Sequence, residues 1–554
     1  MRFRSVDRIK YLAFEGGGGK AIVYLGALRV LQTLKLLPYR PGGTEPRLSG
    51  VAGSSGGAIT AFFIALGLDC DEISDVTSTS DLNNQLLDPP EGGLYKAVRY
   101  QPSEEAGDGA SPLGRNRAGY NIVRPQLGPG HETYELNDAL KLSFRENLEE
   151  AREKGAQIVG LRHRRFPGLT LFLKSIGALI ARLQKRKRAT PIEDKLLNGP
   201  PAKTIRYFQS LLYDRGFFIG IGARNYFAGQ LKLWAEKRYS TQLTDEEARN
   251  FTFHQFGEIS GGFDLRVIST NVTLGKPKIF SGKHTPDFPL VDAICMSMAI
   301  PGAFRPTFVD AIVDLEKMQS GRKEDVAYLR DYMGFFADGG TTTNFPLHAF
   351  DEVDHPLAES LNEEVLGVRC TGGPDDVFLE EPETDDLYKR YQSLKPPVVR
   401  AEIPKVRYRG QGNDLSLTYT YNANGALSVV VDMAANLYDS VMYYSELGQI
   451  RSSAELQQVI ELFSYDVGLF DFDLSKERHL VCLSLFVQRL AAVKLAVGLG
   501  IFGKEIDTYA AIQVANHPAA LKDKDPASLS DAQRVSLMLF ERYDVSRAPA
   551  AIGG

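Results

Sequence analysis

Ser55 is the residue best placed to do chemistry. It stands at the centre of Gly53-Ser54-Ser55-Gly56-Gly57, a G-x-S-x-G spacing. The apolar run Leu48 to Ala52 precedes it and Ala58 to Leu66 follows. The order predicts a strand, a tight turn and a helix. A serine on such an elbow is pushed out at the end of a sheet, where a substrate carbonyl can reach it. Gly53 and Gly57 lack the Cβ atoms that would hold strand and helix apart. The helix N-terminus behind Ser55 adds a positive dipole end. Ser54 is a neighbouring hydroxyl, but the spacing centres on Ser55, so Ser54 is expected to be structural.

Two further groups could complete a site for nucleophilic attack. Gly16-Gly17-Gly18-Gly19-Lys20-Ala21 follows the apolar stretch Ile9 to Phe14. Backbone N–H groups of Gly17, Gly18 and Gly19 in such a loop can cradle an oxyanion. Gly16 and Lys20 support the loop, and Lys20 either meets an anionic headgroup or is a surface charge at a helix start. The loop is not a P-loop, because Ala21 stands where Ser or Thr would follow the lysine. The second group is Phe335-Phe336-Ala337-Asp338-Gly339-Gly340. Asp338 ends an apolar strand and can lie at the same sheet edge as Ser55, with Gly339 supplying the turn. Phe335 and Phe336 give it the apolar surroundings that a carboxylate base working near neutrality needs.

Together these segments resemble the patatin-like phospholipase family. The resemblance implies a Ser55–Asp338 dyad, with the glycine loop as oxyanion hole and Asp338 as the only side-chain partner of the serine. It also implies a three-layer α/β/α fold around a mostly parallel sheet; no cofactor is expected. The segment Ala293 to Pro306, the triplet Asn344-Phe345-Pro346, the strand Leu265 to Asn271 and the stretch Tyr465 to Ser475 agree with that family. The likeness runs from about Ile9 to about Leu490 and departs at Ala21, where a glycine is usual. The activity implied is acyl hydrolysis of phospholipid esters. Two other readings stand beside it. One is a general esterase with a Ser-Asp-His triad, His348 being the best histidine. The other is a gated or inactive regulatory protein that binds an activating protein or small ligand.

The elements that must position these groups alternate in the α/β manner. Strands are expected to Phe14, over Leu48 to Ser54, Phe263 to Thr270, Lys278 to Ser281, Gly334 to Ala337 and Val365 to Cys370. Helices are expected from Ile22 to Leu34, from Gly56 onward and over Asp531 to Tyr543, the last capped by Ser528 or Ser530. In the first helix Tyr24, Ala27, Leu28, Leu31 and Leu34 share one face. The domain reading is a catalytic domain of residues 1–80 and 251–504, a mainly helical insertion of 81–250 and a helical extension of 505–554. The first part of the insertion, rich in Gly and Pro, reads as a long loop, as does Pro374 to Asp386. The tail Arg547 to Gly554 reads as disordered.

Composition sets the outer limits. The chain has 554 residues, 43% hydrophobic and 24% charged, with a net charge of −5. That is ordinary for a globular protein and gives no charge-based reason for nucleic-acid binding. The four cysteines, Cys70, Cys295, Cys370 and Cys482, have no C-x-x-C spacing and suit buried thiols in a reducing compartment. The eight histidines are scattered, so no metal cluster is expected. No secretory h-region is visible. Phe486 to Phe502 is interrupted by Arg489 and Lys494 and reads as a core helix rather than a membrane span. These features predict a cytoplasmic protein peripheral to the membrane, with signal-independent secretion as an effector left open.

One segment breaks the charge balance. Residues 154–192 hold ten Lys or Arg and no Asp or Glu. Arg164 and Arg165 lie before an apolar stripe from Leu169 to Leu183, and Lys174, Arg182, Lys185, Arg186, Lys187 and Arg188 lie on or beyond its polar side. A basic amphipathic helix is the sequence form of an interfacial binder of phospholipid membranes. The same stripe could instead pack on the catalytic domain.

Overall fold

The structure, a computed structural model, describes residues 6–40, 48–78, 94–99, 120–126, 216–218, 220–311, 331–351, 362–371, 385–394, 400–402, 420–422, 457–465, 478–503 and 528–543, with isolated positions such as Leu86 and Leu474. Its centre is a ten-stranded mixed sheet. From one edge the order is Val459–Phe463, Val365–Thr371, Tyr11–Phe14, Gly50–Ser54, Asp264–Asn271, Gly334–Asp338, Thr307–Ala311, Tyr120–Gln126 and Leu94–Arg99. Lys276–Phe280 pairs with Asp264–Asn271 off this path. The expected parallel arrangement holds from Val459–Phe463 across to Asp264–Asn271, the strands that carry the serine and glycine motifs. Beyond Asp264–Asn271 the pairs are antiparallel.

Alternation along the central strands sorts side chains onto two faces. Leu12, Phe14, Val51 and Val267 join the large core with the helices Tyr24–Thr33, Gly56–Ala65 and Arg478–Gly498. Ala13, Ala52 and Ile268 point the other way, onto Phe345, Leu347 and Phe350. Strands covered on both faces read as continuous apolar runs, as Tyr11–Phe14 does.

The first helix differs from its one-faced expectation. A 3-10 turn, Gly18–Val23, leads into Tyr24–Thr33, and every residue from Tyr24 to Leu31 is buried. The reason is a second helix, Arg478–Gly498, packed on its outer side. A Cβ on Gly26 would lie 1.9 Å from the Gln488 carbonyl oxygen, so the two backbones are in direct contact. Arg478–Gly498 is long and apolar enough to cross a membrane by composition, with mean hydropathy 1.9, but 67% of that window is buried inside the protein. It is a core helix.

The span assigned to the insertion also differs. Tyr120–Gln126 pairs with Thr307–Ala311, and Leu94–Arg99 pairs with Tyr120–Gln126 at the edge, extending the central sheet. The helix Ile221–Tyr239 is also part of the core, through Phe227, Leu231 and Trp234. Parts of 81–250 therefore belong to the catalytic domain. Sequence reading missed both strands: Tyr120–Gln126 finds its partner Thr307–Ala311 far along the chain, and Leu94–Arg99 joins the sheet only through Tyr120–Gln126. The helix Asp531–Tyr543 is as expected, and Ser530 is its cap: the Gln533 N–H donates to Ser530 Oγ at 3.3 Å and the Ser530 N–H to Gln533 Oε1 at 3.0 Å. Ser528 Oγ instead donates to the Asp525 carbonyl. The four cysteines are free and buried. The basic segment 154–192, with Arg164, Arg165, Lys174, Arg182, Lys185, Arg186, Lys187 and Arg188, lies outside the described residues, as do 374–384 and the tail 547–554.

Candidate active site

Ser55 ends the strand Gly50–Ser54 and caps the helix Gly56–Ala65, as the spacing predicts. Its backbone has φ 50° and ψ −122°, which a side-chain-bearing residue adopts only under constraint. The constraint is packing. A Cβ on Gly57 would lie 2.4 Å from the Phe14 carbonyl oxygen and 2.5 Å from that of Glu15. Strand and helix thus meet at a distance only glycine permits. Ser54 is fully buried, consistent with a structural role, whereas Ser55 keeps 4% exposure.

The glycine loop lies against this elbow. A Cβ on Gly16 would sit 2.9 Å from Ser55 Cβ, and one on Gly56 would sit 2.9 Å from the Gly18 carbonyl oxygen. Gly18 has φ 52° and opens the 3-10 turn. Such a turn leaves its first N–H groups without intrahelical acceptors. Lys20 is half-buried within the turn; its N–H donates to the Gly17 carbonyl and its own carbonyl accepts the Cys370 thiol.

Asp338 reaches the same place by a different route. On Asp264–Asn271, Ser54 pairs with Ile268 and Asp338 pairs with the next residue, Ser269. Lys276–Phe280 holds the opposite edge at both positions. The strand ending at Ser54 and the strand ending at Asp338 therefore meet head-on along one edge of one neighbour. A Cβ on Gly339 would lie 2.5 Å from Ser54 Oγ. Asp338 is fully buried, and its Oδ1 accepts the Gly340 N–H at 2.8 Å, so its own turn orients the carboxylate.

Three supporting groups escaped the sequence reading. Ser297 Oγ accepts the Ser55 N–H at 3.0 Å and donates to the Ile268 carbonyl. Asn344 Nδ2 donates to the Gly16 carbonyl at 3.1 Å, while the Gly16 N–H donates to the Asn344 carbonyl at 3.0 Å. Glu15 is fully buried beneath the loop; its carboxylate accepts the Cys370 N–H at 2.7 Å and lies 3.5 Å from Arg369 Nε. Ser297 and Asn344 fall in segments singled out for their resemblance, which was the only signal available for them.

His348 is elsewhere. Its Nδ1 lies 2.7 Å from Asp351 Oδ2 and its Nε2 3.7 Å from Glu455. Two residues on, Phe350 stacks on Tyr11 and approaches Gly50, at the starts of the strands whose far ends carry Phe14 and Ser54. The structure therefore places His348 at the amino end of the sheet, about four strand residues or ~13 Å from the elbow level.

Fold and site define a class: an α/β protein with a serine on a strained strand-to-helix elbow, a glycine loop against it and an aspartate turn meeting it. The sequence profile described as patatin-like phospholipase matches residues 12–351, more than half of the chain. The chain belongs to the patatin-like phospholipase family, which places it among lipid hydrolases. No curated protein matches it. Among solved structures, the crystal structure of VipD from Legionella pneumophila is 16% identical, with 99% of this chain and 93% of that one covered and a TM-score of 0.26.

Proposed function

We propose that the protein is a serine acyl hydrolase that cleaves fatty-acyl esters of phospholipids. The observation that carries this reading is the head-on meeting of the Ser54 and Asp338 strand ends at Ile268 and Ser269, with the glycine loop packed on the same elbow. In this mechanism Asp338 takes the Ser55 hydroxyl proton, directly or through a water, as Oγ attacks the ester carbon. The carbonyl oxygen becomes an oxyanion and is held by N–H groups of Gly17, Gly18 and Gly19. Collapse breaks the ester C–O bond, and the leaving alcohol takes the proton back from Asp338. Water then attacks the acyl-enzyme with Asp338 again as base, releasing the fatty acid and restoring Ser55. No histidine is required, which fits the position of His348 at the amino end of the sheet. The basic segment 154–192 is proposed to bring the enzyme to anionic membrane surfaces.

The test is fatty-acid release from mixed phospholipid vesicles by the wild type, Ser55→Ala and Asp338→Asn, matched for thermal unfolding. Loss of the nucleophile should abolish release, and loss of the base should lower it by roughly 10²–10⁴-fold. Equal release by Ser55→Ala would discard the proposal. If the wild type is silent and an added cell extract restores release, the protein is gated rather than inactive.

A further inference from the structure

An open apolar groove begins at Gly18, Gly19 and Gly56, beside the candidate nucleophile, and runs between the helices Tyr24–Thr33, Gly56–Ala65, Cys70–Ser78 and Ile221–Tyr239. On one wall Gly56, Ile59, Thr60 and Phe63 follow helical spacing, so the wall recedes from the elbow by about 10 Å. Leu25, Leu28 and Ile73 line the other sides, and Phe63 with Phe227, ring centroids 6.5 Å apart, lies at the far end. The hydroxyls in the lining are turned to backbone carbonyls. Thr60 donates to Gly56 at 3.1 Å, Thr77 to Ile73 at 2.7 Å, Tyr24 to Glu15 at 2.6 Å and Tyr226 to Val76 at 2.6 Å. A ligand with polar groups along its length would lose water and find no free side-chain donor among the described lining residues in exchange. An unsubstituted hydrocarbon chain loses nothing.

We infer that this groove takes the acyl chain of the substrate, that Ile59 lines its path one helical turn below the elbow, and that Phe63 and Phe227 set the chain length it accepts. The inference deepens the hydrolase reading and rests on it for the direction of the chain, carboxyl end at the glycine loop and methyl end at Phe227. Chain-length selectivity is then set by burial. Each methylene that enters should raise kcat/KM about fourfold, until the chain meets the far end.

The test has a catalytic arm and a binding arm. In the first, wild type, Ile59→Ala and Ile59→Trp hydrolyse p-nitrophenyl esters of increasing straight-chain length. In the second, a fluorescent fatty acid is titrated into Ser55→Ala with and without Ile59→Trp, each variant first checked by thermal unfolding. The expected result is a rise of about fourfold per methylene followed by a plateau. Ile59→Trp should move the plateau to shorter chains and weaken fatty-acid binding at least tenfold, whereas Ile59→Ala, which should fold in any case, keeps the plateau. Hydrolysis with a chain-length profile that Ile59→Trp leaves in place would overturn the groove assignment and leave the hydrolase standing. Fatty-acid binding that Ile59→Trp weakens, with no ester hydrolysis by any form, would overturn the hydrolase and leave the groove standing.

Discussion

Gly57→Ala tests the elbow at its tightest point. The added methyl would lie 2.4 Å from the Phe14 carbonyl oxygen and 2.5 Å from that of Glu15, where ordinary contact begins at 3.4 Å. Something must move by about an ångström. Phe14 cannot: it is held in register between Val368 and Gly53. Glu15 is tied on both sides, its N–H donating to the Val368 carbonyl and its carboxylate accepting from Cys370. The helix Gly56–Ala65 must lift instead, and it carries Ser55 with it. Overpacking of this kind costs about 1–3 kcal/mol, and a nucleophile displaced by 1 Å loses on the order of 10²-fold in rate. Gly229→Ala is the matched control. Gly229 is an exposed residue of Ile221–Tyr239 with nothing within 4 Å of a built Cβ. Alanine there should stabilise by about 0.5–1 kcal/mol, because glycine is a poor helix former. The assay is fatty-acid release from phospholipid vesicles alongside thermal unfolding. Wild-type turnover and wild-type unfolding in Gly57→Ala would refute the reasoning, since they would mean that the elbow does not need that close approach.

His348→Ala should keep vesicle hydrolysis within about twofold of wild type, because the imidazole is engaged by Asp351 at the amino end of the sheet; a loss near 10⁴-fold, as when a triad member is disabled, would restore the triad. Lys494 lies 3.3 Å over the Phe463 ring, and burial pushes it from 10.5 down to about 8. A lysine whose folded pKa is depressed destabilises most when charged, so the cost is full below pH 8 and fades as pH rises towards 10.5. Lys494→Met should therefore stabilise at pH 7 by about 1–3 kcal/mol, after allowance for partial exposure. The gain should shrink in urea unfolding above pH 10; a gain independent of pH would refute the electrostatic cause.

What the sequence made legible was local. The Ser55 elbow, the glycine loop and the Asp338 turn each fit within a few residues, and each is written in glycine spacing because close backbone approach leaves few alternatives. The cap of Asp531–Tyr543 was legible to within Ser528 or Ser530, because a capping serine bonds only to residues three positions away. The groups that hold these pieces together were not. Glu15 reaches Arg369 and Cys370, Asn344 reaches Gly16, and Ser297 reaches Ser55. Nothing in the neighbourhood of a buried serine or asparagine announces a partner hundreds of residues away. Tyr120–Gln126 escaped on similar grounds, since its bonds to Thr307–Ala311 are non-local; the edge strand Leu94–Arg99 joins the sheet only through it, and Gly- and Pro-rich flanks hid both.

The convergence of Ser55 and Asp338 is a consequence of sheet direction. On the parallel side, Gly50–Ser54 runs toward Ile268; on the antiparallel side, Gly334–Asp338 runs back toward Ser269. Two strand ends arriving on one edge interrupt that edge, and their terminal backbone groups would be stranded in the core. The end of the helix Leu290–Ser297 fills the break. Ser297 Oγ accepts the Ser55 N–H, the Ser297 carbonyl accepts the Gly339 N–H at 3.1 Å, and the Ala299 carbonyl accepts the Asp338 N–H at 2.8 Å. One short segment therefore fixes the backbone of both candidate catalytic residues. Its apolar character, Ala293 to Met298, follows from being buried behind the sheet, and the serine at its end follows from the N–H it must receive. On this reasoning Ser297→Ala should affect Ser55 through position rather than chemistry. It leaves a buried N–H without its acceptor at about 1–3 kcal/mol, and it should lower kcat while leaving the chain-length profile unchanged. A shifted chain-length profile with kcat intact would show that Ser297 serves the groove and not the elbow.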